Sequence, residues 1–210
     1  AVFGSRAGLD ATTIAILLSV TIFLGSVMQF PAGKLSDRID RRYVLAALSS
    51  LAAFAALGLL FFTPSDPLWI FVLVGTYGAA ANALYPIAVA HANDFAKADE
   101  FVKVSGGLLL LFGIGTIIGP TLGGPVMTAA GPYALFAVTA VSHLLISAYA
   151  IYRSRTRAAI PAADRENLPN LPITASPISS TPEGLSLDPR AAPLPDQEEI
   201  DENEPMEARA

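Results

Sequence analysis

Charged residues along this chain are gathered into a few short clusters, and the stretches between them are long and apolar. Ala11 to Gly33 holds no Asp, Glu, Lys or Arg, and neither does Tyr43 to Ser65. Asp66 is the one charge between there and Asp94, and Val104 to Tyr152 is again uncharged. An apolar run of about 20 residues is what a helix needs to cross a hydrocarbon core of roughly 30 Å. The last stretch is too long for one crossing, and turn chemistry at Gly124-Pro125 and Ala129-Ala130-Gly131-Pro132 divides it. The pattern predicts five spans, at about 11–33, 43–63, 68–92, 104–128 and 132–152, in an all-α membrane domain over residues 1–152. From Arg153 onward the periodicity stops, Pro appears nine times, and acids gather between Asp196 and Glu207. Such a segment cannot bury a core, so 153–210 is expected to be a disordered, acidic, Pro-rich tail.

The connections between spans differ in charge. Gly33 to Arg42 carries four cations, Lys34, Arg38, Arg41 and Arg42; the next connection, 63–67, carries none. Asn93 to Lys103 carries Lys97 and Lys103, the break near Gly131 carries none, and Arg153, Arg155 and Arg157 follow the last span. Cations at every second connection are what the positive-inside rule demands of a serpentine chain. The expectation is five crossings, an external N-terminus and a cytoplasmic tail, with the three tail-root arginines at anionic headgroups.

Composition sharpens this picture in two places. The mean hydropathy is +0.52 and the net charge is -5. Residues 1–152 contain seven acids and seven bases, so the whole net charge belongs to the tail. Without cysteine there is no disulfide frame, thiolate metal site or cysteine nucleophile. The residues offer no metal cluster, phosphate loop or nucleophile constellation, and the reading is that the chain is not an enzyme, has no cofactor and binds no nucleic acid. Ala1 is not Met and no leader pattern precedes the spans, so the sequence reads as a fragment or a chain whose start lies elsewhere.

The cationic connection has a specific resemblance. Gly33, Leu35, Asp37, Arg38, Arg41 and Arg42 stand in an order similar to the G-x-L-x-D-R-x-G-R-R signature of the major facilitator superfamily, with Asp40 at the second glycine. The resemblance implies a helical bundle of that type and places the motif between the second and third helices of a six-helix half. The five spans would then be the eighth to twelfth helices of a twelve-helix transporter whose N-terminal half is missing. It implies secondary active transport of a small solute by alternating access in a bacterial inner membrane. Asp37, Arg38 and Arg41 would act as a cytoplasmic gate; the residues alone require only a topology anchor. Tyr85-Pro86 and His91-Ala92-Asn93-Asp94 are similar to the YcaD-like bacterial branch. A rival reading is a truncated or non-transporting membrane interaction module.

Within the spans, Gly25, Gln29 and Gly33 share a face, and a Gln in a span must meet protein or water. Pro31 removes a backbone bond near the cationic connection. Tyr77, Ala81 and Tyr85 share another face, with Asn82 beside Tyr85, while Gly75, Ala79 and Ala83 form a small-residue stripe. The resemblance makes Gln29, Asn82 and Tyr85 candidate substrate contacts; interhelical bonding is the alternative. Gly115, Gly119, Pro120, Gly123 and Gly124 resemble the G-x-x-x-G-P-x-x-G-G pattern of superfamily exporters and read as a helix built for close packing and bending. Segments 43–63 and 132–152, apolar nearly all round, are expected at the lipid-facing periphery. No Asp or Glu lies mid-span, so His143 is the candidate proton relay here, or else a bonded interface histidine.

Overall fold

The computed structural model describes residues 2–64, 66–96 and 100–158, and among them the regular structure is all helix. A short α1, Val2–Arg6, precedes α2, Ala11–Arg38; α3 is Arg41–Phe62, α4 Pro67–Asn93, α5 Phe101–Ala130 and α6 Leu135–Thr156, with a 3-10 turn at Pro132–Ala134. Five of these helices are long and apolar enough to cross a membrane. The predicted tail lies outside the described residues, apart from α6 running on through Arg153 and Arg155 to Thr156.

Local chemistry sets the helix ends. Asp10 opens α2 by accepting from the backbone N–H of Thr12 and Thr13, and Asp66 opens α4 by accepting from Leu68 with Pro67 at the first helical position. Gly131, at φ +89, ends α5 where a side chain would be strained. The prolines break less than expected. Pro31 lies inside α2, Pro86 inside α4, and both Pro120 and Pro125 inside α5, so Gly124-Pro125 does not end the helix and only the Gly131-Pro132 turn does. Likewise α2 continues through most of the cationic connection, leaving only Ile39 and Asp40 between it and α3.

The helices pack in the order α2, α4, α3, α6, with α5 resting against the start of α6 and the edge of α4. Close approach of α2 and α4 depends on small residues. A Cβ on Gly25 would fall 2.6 Å from that of Asn82, and one on Gly78 would strike the side chain of Thr21. Gly75, Ala79 and Ala83, the predicted stripe, are all buried. The central helix is α3, where Ala52, Ala53, Ala56 and Leu59 are wholly buried. Its expected lipid-facing place holds on one side only, where Phe54, Phe61 and Phe62 are each more than 60% exposed. An all-round apolar sequence suits lipid and protein equally, and here the alanines let neighbours approach from both sides. By contrast Leu109, Leu110 and Leu111, successive residues that circle α5, are each more than 60% exposed. Among the described side chains of α5 only Gly123 and Met127, near its end, are buried.

Candidate gating and substrate site

The connection of two residues between α2 and α3 brings four helix ends together. Arg41 is the hub: its Nε donates to Asp94 Oδ2 at the end of α4 (2.8 Å), and its Nη1 donates to Ser36 Oγ (3.0 Å) and Asp37 Oδ1 (3.3 Å). Ser36 is itself buried and donates to Gly33 O at 2.8 Å. Two anionic partners and a hydroxyl thus hold one guanidinium, whose planar fork suits such divided bonding. Asp37 remains 69% exposed, against 6% for the side chain of Asp94. The stronger, better shielded contact of Arg41 is consequently with α4 rather than with its own signature partner.

Arg42 faces the other way. Its Nε and Nη2 reach both carboxylate oxygens of Asp40, the closest pair at 2.6 Å, and its Nη1 donates to the carbonyls of Arg153 (2.8 Å) and Arg157 (2.9 Å). It therefore clasps the C-terminal end of α6, adding a second donor to the Arg153 carbonyl, which already accepts from the Arg157 N–H, and a donor to the carbonyl of Arg157 just past the helix. Asp40 also accepts from the backbone N–H of Arg42 and so opens α3, with φ -60 and ψ 120. The position needs no left-handed residue, and this is why Asp serves where the signature has glycine. Burial pushes the Asp40 carboxyl up, but the side-chain and backbone bonds from Arg42 outweigh it and leave it below its ordinary value. Beside this staple, the Arg157 guanidinium lies 4.6 Å from the Phe95 ring centre, and Phe95 packs edge-on against His91. Leu35 and Arg38 point outward, as does Lys34, whose Nζ lies over Phe30.

The in-span candidates do not converge on one point. Gln29 is exposed on the flank of α2. Asn82 donates to Gly78 O on its own helix (2.9 Å) and reaches Thr21 O on α2 at 3.5 Å. Tyr85 turns instead toward α5, its ring 5.4 Å from that of Phe112. It lines a cleft of about 680 Å³ bounded by α3, α4, α5 and α6, and His143 lines the same cleft. Nδ1 of His143 donates to Thr139 O (3.0 Å), and its ring lies 5.5 Å from that of Tyr77. Of the α5 glycines, Gly123 has close contact, with Leu135; Gly115, Gly119 and Gly124 have open space where a side chain would stand. Ser36, Asp94, Phe112 and Thr116 went unread as site residues. Asp94 carried a signal, a lone acid at a span end level with four cations, whereas a helix-borne Ser or Phe carries none.

Five apolar helices joined by short connections, with their charged links gathered at the helix ends, define a multi-pass helical membrane protein. The profile of the Major Facilitator Superfamily matches residues 2–191, and the chain belongs to that family. Similar curated proteins include the uncharacterized MFS-type transporter YcaD of Escherichia fergusonii, 31% identical over 114 residues, covering 54% of this chain and 28% of that protein. The uncharacterized MFS-type transporter Ent638_1421 of an Enterobacter species is 33% identical over the same shares. An uncharacterized MFS-type transporter of Yersinia pestis is 31% identical over 121 residues, 56% of this chain and 30% of its own. The chain thus spans less than a third of the length of these relatives. No solved structure matches it.

Proposed function

We propose that this chain is the C-terminal portion of a secondary active transporter that moves a small solute across a bacterial inner membrane by alternating access. The observation that carries the reading is the hub at Arg41, where Asp37 and Ser36 of α2 and Asp94 of α4 share one guanidinium at the junction with α3. Shared bonds of this kind can be remade between partners as helix ends shift, which a mere charge anchor does not need. The five spans stand for the eighth to twelfth helices, with the cationic end in the cytoplasm and the N-terminus outside. The missing N-terminal half supplies the other wall of the path. Gln29, Asn82 and Tyr85 are the candidate solute contacts, His143 the candidate proton carrier, and the α5 glycine pattern favours export.

Asp37→Asn in the intact transporter tests the gate. Every cation stays, and the lost partner is mostly exposed, so folding is expected to survive while transport in proteoliposomes falls by at least about tenfold. Undiminished transport reduces the cluster to a topology anchor. The rival, a membrane module that assembles without transporting, draws on the open Gly115 and Gly119 face of α5. Such a module would bind a partner helix yet move no solute in the same assay.

A further inference from the structure

We propose that the cleft between α3, α4, α5 and α6 binds a neutral, planar aromatic compound carrying an O–H or N–H donor. As cargo this ligand rests on the transporter reading; as a ligand it rests on the cleft alone. The cleft holds about 680 Å³, within the roughly 300–1,000 Å³ of small-molecule sites. Its walls carry rings from three helices: Tyr77 and Tyr85 from α4, Phe112 from α5 and His143 from α6. Tyr85 with Phe112 and Tyr77 with His143 form two tilted pairs, at 59° and 44°, which present ring faces and edges to an inserted aromatic plane.

His143 supplies the polar handle. A carbonyl can only accept, so the bond from Nδ1 to Thr139 O places the proton of the neutral ring on Nδ1 and the lone pair on Nε2. That Nε2 has no hydrogen-bond partner and almost no exposed surface, so a ligand donor reaches it as the edge of the ring turns into the cleft. A buried acceptor left unpaired is unfavourable, and a ligand donor relieves it. Thr116, the cleft's hydroxyl on α5, is already spent on Gly113 O. No Asp, Glu, Lys or Arg is among the described lining residues, so a net charge would enter a region with nothing to balance it. These three facts select an aromatic, neutral, hydrogen-bond-donating ligand. The hollow of about 500 Å³ beside Phe62 and Trp69 lacks this combination, because Asp66 lines it and none of its residues has a buried unpaired atom.

The test uses two probes that differ only in the donor, 2-naphthol and 2-methoxynaphthalene, titrated against the intact transporter in nanodiscs by equilibrium dialysis. The expected result is that 2-naphthol binds about tenfold more tightly, the worth of one hydrogen bond to a desolvated acceptor. His143→Phe is expected to erase that preference and to leave the ether's affinity in place, while Phe112→Ala, at an exposed wall position, weakens both probes equally. Equal affinities, a preference that survives His143→Phe, or no binding of either probe overturns the proposal. Should His143→Phe fail to fold, Phe112→Ala still decides, because unchanged binding there removes the cleft as the site. Transport of a solute panel without naphthol binding sinks the site alone; naphthol binding without any transport sinks the transporter reading alone.

Discussion

The cationic hinge joining α2 to α3 and the cleft both involve α4 but treat buried polar atoms in opposite ways. At the hinge, Arg41 and Arg42 between them place donors on two carboxylates besides Asp37, one hydroxyl and two backbone carbonyls, with Asn93 Oδ1 a buried exception. In the cleft, the ring of His143 is bonded on one side and left open on the other. Saturated polar groups fix a geometry, and an unsaturated one invites a ligand. On the readings proposed above, one end of the bundle latches helix ends through bonds that can be remade, and its middle takes a ligand.

The largest effect that would break this contrast comes from Arg42. Arg42→Ala takes the guanidinium away from the Asp40 carboxylate and from the carbonyls of Arg153 and Arg157 at a site where the side chain is only 4% exposed, and is expected to cost about 3 kcal/mol of stability, read as a lowered melting temperature. Arg42→Lys should recover little, because one ammonium cannot span both the carboxylate and the carbonyls. A melting temperature equal to wild type would remove the staple as a stabilising device.

A smaller effect follows from acidity. Asp40 is more acidic folded than its ordinary value of 3.8, so its contribution is complete above about that pH and is lost as pH falls through the folded value. Thermal unfolding between pH 5 and pH 3, on the order of that window, should therefore lose more stability in the wild type than in Asp40→Asn. Parallel losses in the two would contradict the assignment.

The smallest effect sharpens the comparison from the cleft side. Gly119→Ala on α5 meets nothing within 4 Å, so within these helices it should change stability by no more than about 0.5 kcal/mol. A clearly larger loss, read as a lowered melting temperature, would show that a further element covers that face.

The spans were legible because charge-free stretches of this length have few other uses, and the signature at Gly33 to Arg42 was legible as a short contiguous pattern. The partner of Arg41 was not. Asp94 lies 53 residues away, and nothing in one sequence ties a given cation to a given acid across two helices. The centrality of α3 was hidden for a different reason, since hydropathy measures aversion to water and does not distinguish lipid from a neighbouring helix. Tyr77, Ala81 and Tyr85 were seen as one face, and they do line one cleft. What closes that cleft comes from α5 and α6, outside the reach of any single-helix periodicity.

Arg42 also links two moments in the life of the molecule. On the proposed cytoplasmic placement, only the arginine's positive charge counts while the chain is threaded into a bilayer, as one of four cations that resist translocation. Once the helices have packed, that charge is neutralised by Asp40, and what remains useful is the set of N–H groups that tie the start of α3 to the end of α6. An address label during insertion thus becomes a rivet after assembly, and a lysine in its place could serve the first purpose without serving the second.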